Sequence, residues 1–248
     1  MRPPSGGVQR NNPAAAGVKI VKKDYLRPNG SRSTRHKDLM DKTNYEESLR
    51  ARGIWPVAGV DEAGRGPLAG PVAAAAVILP TGADTEGIAD SKQLTEKKRE
   101  ALFDKIYATG ALVGIGIAEP EEIDSLNILR ATHLAMARAL EALPALPALA
   151  LVDGLPVKGL PVEHEAIVKG DSLVKSIGAA SIIAKVTRDR LMYALDEKYP
   201  EYGFAWHKGY GTREHLEAIR KYGVLPCHRK SFEPVRSLLL QGALFPEL

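Results

Sequence analysis

The longest uninterrupted apolar run in this 248-residue chain covers residues 72–79, which is eight residues. That length suits one buried strand and falls far short of the roughly 18 apolar residues of a membrane-spanning helix. The core must therefore be assembled from several short pieces, and the pieces alternate in kind. Residues 57–60 read as a strand that runs into Asp61, and residues 70–79 as a second, fully buried strand. Between them Glu62-Ala63-Gly64-Arg65-Gly66-Pro67 has the punctuation of a turn or bulge. Thr95 is placed to cap a helix over residues 96–107 that stops at Gly110, and residues 111–118 give a third strand. Leu126, Leu129, His133, Met136 and Leu140 recur at helical spacing, which predicts one helix with a single core stripe and a packed, not metal-bound, His133. Further strands are predicted over 148–152 and 166–168. A helix from Ser172 to about Tyr199 carries small residues, Gly178, Ala179, Ala180 and Ala184, suited to close packing on a sheet. Two more helices, over 212–222 and after Pro234, close the chain. The pattern predicts an α/β core, over residues 51–199, followed by a helical C-terminal segment over 200–248.

The formal net charge of +4 suggests a nucleic-acid partner, but the charge is unevenly placed. Residues 1–50 carry a balance of +6, so the remaining 198 carry −2. The first 50 residues are rich in Pro, Gly, Asn, Ser and Arg without an apolar period, and are expected to form a disordered basic arm. Such an arm is either a solvated extension or a nucleic-acid tether. Cys227 is the single cysteine, which excludes a disulfide framework and a multi-cysteine zinc site. Met1-Arg2-Pro3-Pro4 has no apolar signal core behind it, so a cytoplasmic protein without membrane attachment is expected.

Four acids follow predicted strands or open a helix: Asp61, Glu62, Asp153 and Asp171. They are either unrelated loop residues or, if the strands are neighbours, a convergent set in the crevice where open α/β sheets bind ligands. A convergent set needs a cation to offset its repulsion, and hard oxygen donors point to Mg²⁺ or Mn²⁺. Gly64 and Gly66 flank Arg65 beside two of these acids, so the turn can offer main-chain N–H groups to a phosphate or sugar. Residues 206–212 mix Trp206, His207, Lys208 and Tyr210 with glycine ahead of a helix, which suits stacking on a sugar or base, or is a plain helix entry. Lys92, Lys169, Lys175, Lys185 and Arg188 are the other basic candidates; Lys185 and Arg188 share one helix face, which either meets phosphate or is merely solvated. His228-Arg229-Lys230 reads as surface, and Cys227 lacks the partners of a nucleophile.

Taken together, these segments resemble bacterial ribonuclease HII, the type 2 ribonuclease H. The likeness rests on residues 57–72, Asp90-Ser91-Lys92, residues 151–154, residues 168–172, residues 179–189 and residues 207–212, in order along the chain. Type 3 enzymes carry a different turn in place of Gly64-Arg65-Gly66, together with an ordered N-terminal domain. The resemblance implies an RNase H-like mixed sheet flanked by helices, and a monomer acting on RNA–DNA hybrids and on duplex DNA containing single ribonucleotides. It implies that Asp61, Glu62, Asp153 and Asp171 hold one or two Mg²⁺ or Mn²⁺ ions and that cleavage leaves 3′-hydroxyl and 5′-phosphate ends. It further implies that Gly64, Arg65 and Gly66 read the ribose 2′-hydroxyl and that Tyr210 packs against the deoxyribose on the 3′ side, with Lys92 and Lys185 among the substrate-binding residues. Gln241-Gly242-Ala243-Leu244-Phe245 faintly resembles a sliding-clamp peptide, though a packed or frayed terminus is the expected reading.

Overall fold

The computed structural model describes residues 45–88 and 94–244, with side chains to residue 240. Most of the expected arm, the Asp90-Ser91-Lys92 motif and the side chains of the clamp-like tail lie outside the described residues. A five-stranded sheet organises the rest: β1 (Val57–Ala63), β2 (Val72–Ile78), β3 (Leu112–Ala118), β4 (Leu149–Asp153) and β5 (His164–Ile167), in the order β3-β2-β1-β4-β5. The strands β1, β2 and β3 pair antiparallel, while β4 joins β1 and β5 joins β4 in parallel. This is the mixed sheet flanked by helices that the resemblance implies, built on the α/β core that the residue pattern predicts.

The sheet is covered on both faces. Val60, Ala74, Ala76 and Val152 pack with Met136 and Leu140 of α4 (Ile128–Glu141). On the opposite face Ala75 and Val77 meet Ala179, Ile182 and Ile183 of α5 (Lys175–Lys198). All seven residues of β2 are buried, as a run without polar alternation requires. Each large aliphatic side chain so buried contributes about 1.5–3 kcal/mol. The approach of α5 to β1 is close: a Cβ at residue 59 would fall on the backbone of Ser176 and Ile177, so the position needs glycine.

Two expectations change. The stripe from Leu126 to Leu140 is split between α3 (Pro120–Leu126) and α4, because Asn127 turns the chain at a φ of 72° and caps the second helix. Its side-chain oxygen accepts the N–H groups of Leu129 and Arg130 at 3.1 and 3.2 Å. Leu129 is exposed, and the buried face of α4 is instead Ala131, Ala135, Met136, Ala139 and Leu140. The end of the expected arm also folds: α1 (Tyr45–Ala51) buries Leu49 against Val57, Leu151 and Ile177, and the Tyr45 hydroxyl donates to Glu165 at 2.7 Å.

The remaining helices are α2 (Glu96–Ala108), capped by Thr95, then α6 (Phe204–His207), α7 (Arg213–Tyr222) and α8 (Val235–Leu244). Tyr202, Phe204, Ile219 and Val235 build a C-terminal cluster around Leu68, Ala69 and Met192. Among the described residues, no helix is long and apolar enough to cross a membrane.

Candidate active site

The register of the central parallel pair sets the geometry. Val60 stands opposite Val152, so the next residues, Asp61 and Asp153, occupy neighbouring strand ends. Adjacent strands run about 4.8 Å apart, which keeps the two carboxylates close at the carboxyl edge of the sheet. Glu62 follows at the same edge, and all three acids line a single cavity of about 360 Å³. Asp171 sits in a buried 3-10 turn, Gly170–Ser172, that abuts this edge. The preceding Gly170 N–H donates to Asp153 Oδ1 at 2.6 Å, which ties the turn to the end of β4. The structure thus gathers Asp61, Glu62 and Asp153 in one wall and leaves Asp171 just outside that wall. Among the described residues, no three His, Cys, Asp or Glu side chains stand in ligating arrangement.

Crowding is visible in the acid–base balance. Burial pushes Asp61 well above the usual carboxylate range, and the negative charges of Glu62 and Asp153 push the same way. A hydrogen bond from Ser181 on α5 and the Glu62 N–H, 2.8 Å from Asp61 Oδ1, oppose the shift. Burial also raises Glu62, against the attraction of Arg65, whose Nη1 lies 3.3 Å from Glu62 Oε1.

Cationic groups complete the cavity. Arg99 of α2 and Lys185 of α5 line it, with Lys185 Nζ 2.6 Å from Asp189 Oδ1. Gly64 and Tyr210 lie in the wall as well. A Cβ on Gly66 would lie 3.4 Å from Cε1 of Tyr210, which places the turn against the tyrosine ring. Gly64 has a φ of 97°, and a Cβ there would fall on the Arg188 side chain, so the first glycine of the turn is required twice over.

Arg188 and the basic cluster depart from the sequence reading. Arg188 is buried and donates from each of its three guanidinium nitrogens to a main-chain carbonyl: Nε to Pro71 (3.0 Å), Nη1 to Lys208 (3.0 Å) and Nη2 to Ala69 (3.2 Å). His228 and Arg229, read as surface, are both 0% exposed. His228 Nδ1 accepts the Leu225 N–H at 2.9 Å, which puts its proton on Nε2. That proton goes to His215 Nε2 at 3.1 Å, leaving His215 Nδ1–H for the Tyr210 carbonyl at 2.9 Å. Burial pushes the Cys227 thiol up to about 11, so no thiolate nucleophile is present at neutral pH. Nothing in the spacing of Arg99, Ser181, His215 or Arg229 marks them; their helical or loop contexts read as ordinary surface.

Comparison with known proteins gives a consistent picture. The family profile described as Ribonuclease HII matches residues 58–235. The chain is 57% identical over 195 residues to Ribonuclease HII of Geobacillus kaustophilus, covering 79% of this chain and 75% of that protein. It is 59% identical over 184 residues to Ribonuclease HII of Coxiella burnetii, covering 74% and 91% respectively. The crystal structure of ribonuclease H2 from Pyrococcus horikoshii superposes with a TM-score of 0.63 at 31% identity, over 75% of this chain and 97% of that one.

Proposed function

Because the chain belongs to the ribonuclease HII family and is a ribonuclease H that cuts the RNA strand of RNA–DNA hybrids, we propose that it also incises duplex DNA at single embedded ribonucleotides and leaves 3′-hydroxyl and 5′-phosphate ends. The observation that carries this reading is the meeting of Asp61, Glu62 and Asp153 with Gly64 and Tyr210 in one cavity. A site for long hybrids alone needs only groove contacts, whereas a turn lying against an aromatic ring suits a single ribose followed by a deoxyribose.

The donor types suit a divalent ion: three hard carboxylates line one cavity, and burial first, then the charges of Glu62 and Asp153, raise Asp61, although the three side chains do not stand in ligating arrangement. Asp61, Glu62 and Asp153 would hold it, with Asp171 on the adjoining turn as the fourth acid. Bound there, the ion supplies an activated water and offsets the charge on the phosphate. The chain's own groups do the rest. The main chain of Gly64, Arg65 and Gly66 meets the 2′-hydroxyl, the one group that separates RNA from DNA at a single residue. Lys185 and Arg99 place positive charge beside the phosphate path, and Lys92 is assigned to substrate binding as well. Tyr210 stacks its face on the sugar that follows.

A duplex carrying one ribonucleotide, labelled at its 5′ end, tests this. Incision with Mg²⁺ or Mn²⁺, giving a product that a DNA polymerase extends, is the expected result. Asp61→Asn should lower the rate by at least about a thousandfold while the far-UV spectrum stays unchanged. Undiminished cutting by that variant, or no incision by the parent under either metal, would remove the assignment.

A further inference from the structure

Among the described residues, Arg229 has no carboxylate in hydrogen-bonding contact. Its guanidinium is fully buried and its donors are spent on four main-chain carbonyls: Nε on Gly70 (3.0 Å), Nη1 on Arg65 (2.9 Å), and Nη2 on Gly64 (2.6 Å) and Pro71 (3.3 Å). Two of those carbonyls belong to the Gly64-Arg65-Gly66 turn, some 164 residues earlier in the chain. In a trans peptide the C=O and N–H point in opposite directions. The cis bonds in the described chain are Trp55-Pro56 and Glu233-Pro234, so the peptides after Gly64 and Arg65 are trans. A Gly64 carbonyl aimed inward at Arg229 therefore aims the Arg65 N–H outward, and the Arg65 carbonyl does the same for the Gly66 N–H.

The fork is itself held before any substrate arrives. The Arg229 N–H donates to the Leu68 carbonyl at 2.8 Å, the Gly70 N–H donates to the Cys227 carbonyl at 2.8 Å, and Ala69 bridges His228. Burial and neighbouring Arg188 bring Arg229 down to about 9, which leaves it cationic at neutral pH. Arg188 grips the same stretch through Ala69 and Pro71. Two buried cations thus draw in the carbonyls of residues 64, 65, 69, 70 and 71, and turn the donor edge of residues 65 and 66 away from themselves, next to Gly64 in the cavity wall.

We propose that Arg229 is the positioning residue for ribose recognition: by holding the Gly64 and Arg65 carbonyls inward it makes the Arg65 and Gly66 N–H groups the donors that meet the 2′-hydroxyl. The proposal rests on the ribonucleotide-reading function above and adds the group that creates its donors. A lysine at this position keeps the charge but cannot span four carbonyls arranged around a planar fork.

Binding is measured in EDTA, so that nothing is cut, on two duplexes of one sequence that differ by a single ribonucleotide. The parent is expected to prefer the ribonucleotide duplex. Arg229→Lys should lower affinity for that duplex at least tenfold while affinity for the all-deoxy duplex stays within twofold. If the variant keeps the parent's preference, or weakens both duplexes equally, Arg229 is only structural and the proposal falls. A parent that binds both alike overturns the ribose-reading function itself, a result independent of the variant. Should Arg229→Lys fail to fold, amide exchange on the parent decides. Arg65 and Gly66 amides should exchange freely in the free protein and become protected by the ribonucleotide duplex but not by the all-deoxy one. Protection already present without nucleic acid refutes the outward donors.

Discussion

His215 and His228 are both buried, and burial holds each of them down at about 4. Their hydrogen bonds use one neutral tautomer each, so an added proton would break the path from Leu225 to the Tyr210 carbonyl. An unfolded chain protonates the same rings near the ordinary 6.5, and so binds more protons than the folded chain between pH 6.5 and 4. Stability contributed by this pair is therefore complete above pH 6.5 and drains away as pH falls through that window. Urea unfolding at pH 7 and pH 4.5 should differ by on the order of 3 kcal/mol from this pair. The histidine C2 protons of residues 215 and 228 should show no titration between pH 8 and 5.5 by NMR; a midpoint near 6.5 at both would refute their burial. The acids Asp61, Glu62 and Asp153 were marked beforehand as candidates because a carboxylate that directly follows a buried run has few places to go, though spacing alone left open whether they meet. His215, His228 and Arg229 were not. A charged or polar side chain reads as surface until the chain that buries it is known, and the carbonyls that satisfy Arg229 lie 158 to 165 residues away.

The contact of α5 with β1 fixes where the carboxylates stand, because Ser181 and Lys185 come from the same helix that presses on Gly59. A methyl group at 59 would have to displace backbone, which a packed interface resists. Gly59→Ala should cost about 3 kcal/mol or more, measured by chemical unfolding. Whatever folds should show a larger loss of turnover than of substrate affinity, since the helix shift moves the cavity wall. A stable, fully active variant would show that α5 slides freely on the sheet. Elements of this kind were readable: the small residues Gly178, Ala179, Ala180 and Ala184 announce a helix laid tightly on a sheet. The α3–α4 break was hidden because its cause is Asn127 at a positive φ of 72°, a choice made by one residue inside an unbroken apolar period. The buried face of α4 was misplaced for a related reason, since it consists largely of alanine and a search for large apolar residues passes over it. The fold of α1 depended on Leu49 finding Val57, Leu151 and Ile177, neighbours that no local pattern contains.

Charge belongs to the molecule as a whole, and its placement makes a prediction that no single residue does. Residues 1–44 carry a balance of +7, which leaves −3 on residues 45–248. Three of the acids in that second part face one cavity, which the proposed function sets against a phosphate backbone. Without a divalent ion, residues 45–248 should therefore repel nucleic acid near the cavity, and the basic stretch over residues 1–44 should supply the attraction. Each phosphate that the chain ceases to neutralise takes about 0.9 from the slope of log affinity against log salt concentration. A chain beginning at residue 45 should still incise an embedded ribonucleotide at saturating metal, with turnover close to that of the full chain. Its salt slope should be shallower by several such steps. Its binding to a hybrid in EDTA should fall far more than its binding in the presence of a non-supporting divalent ion, because only the ion then offsets the cavity's charge. Equal salt slopes for the two chains would show that the N-terminal charges never approach the duplex, and that the cationic groups around the cavity, Arg99 and Lys185 among them, are sufficient to draw it in.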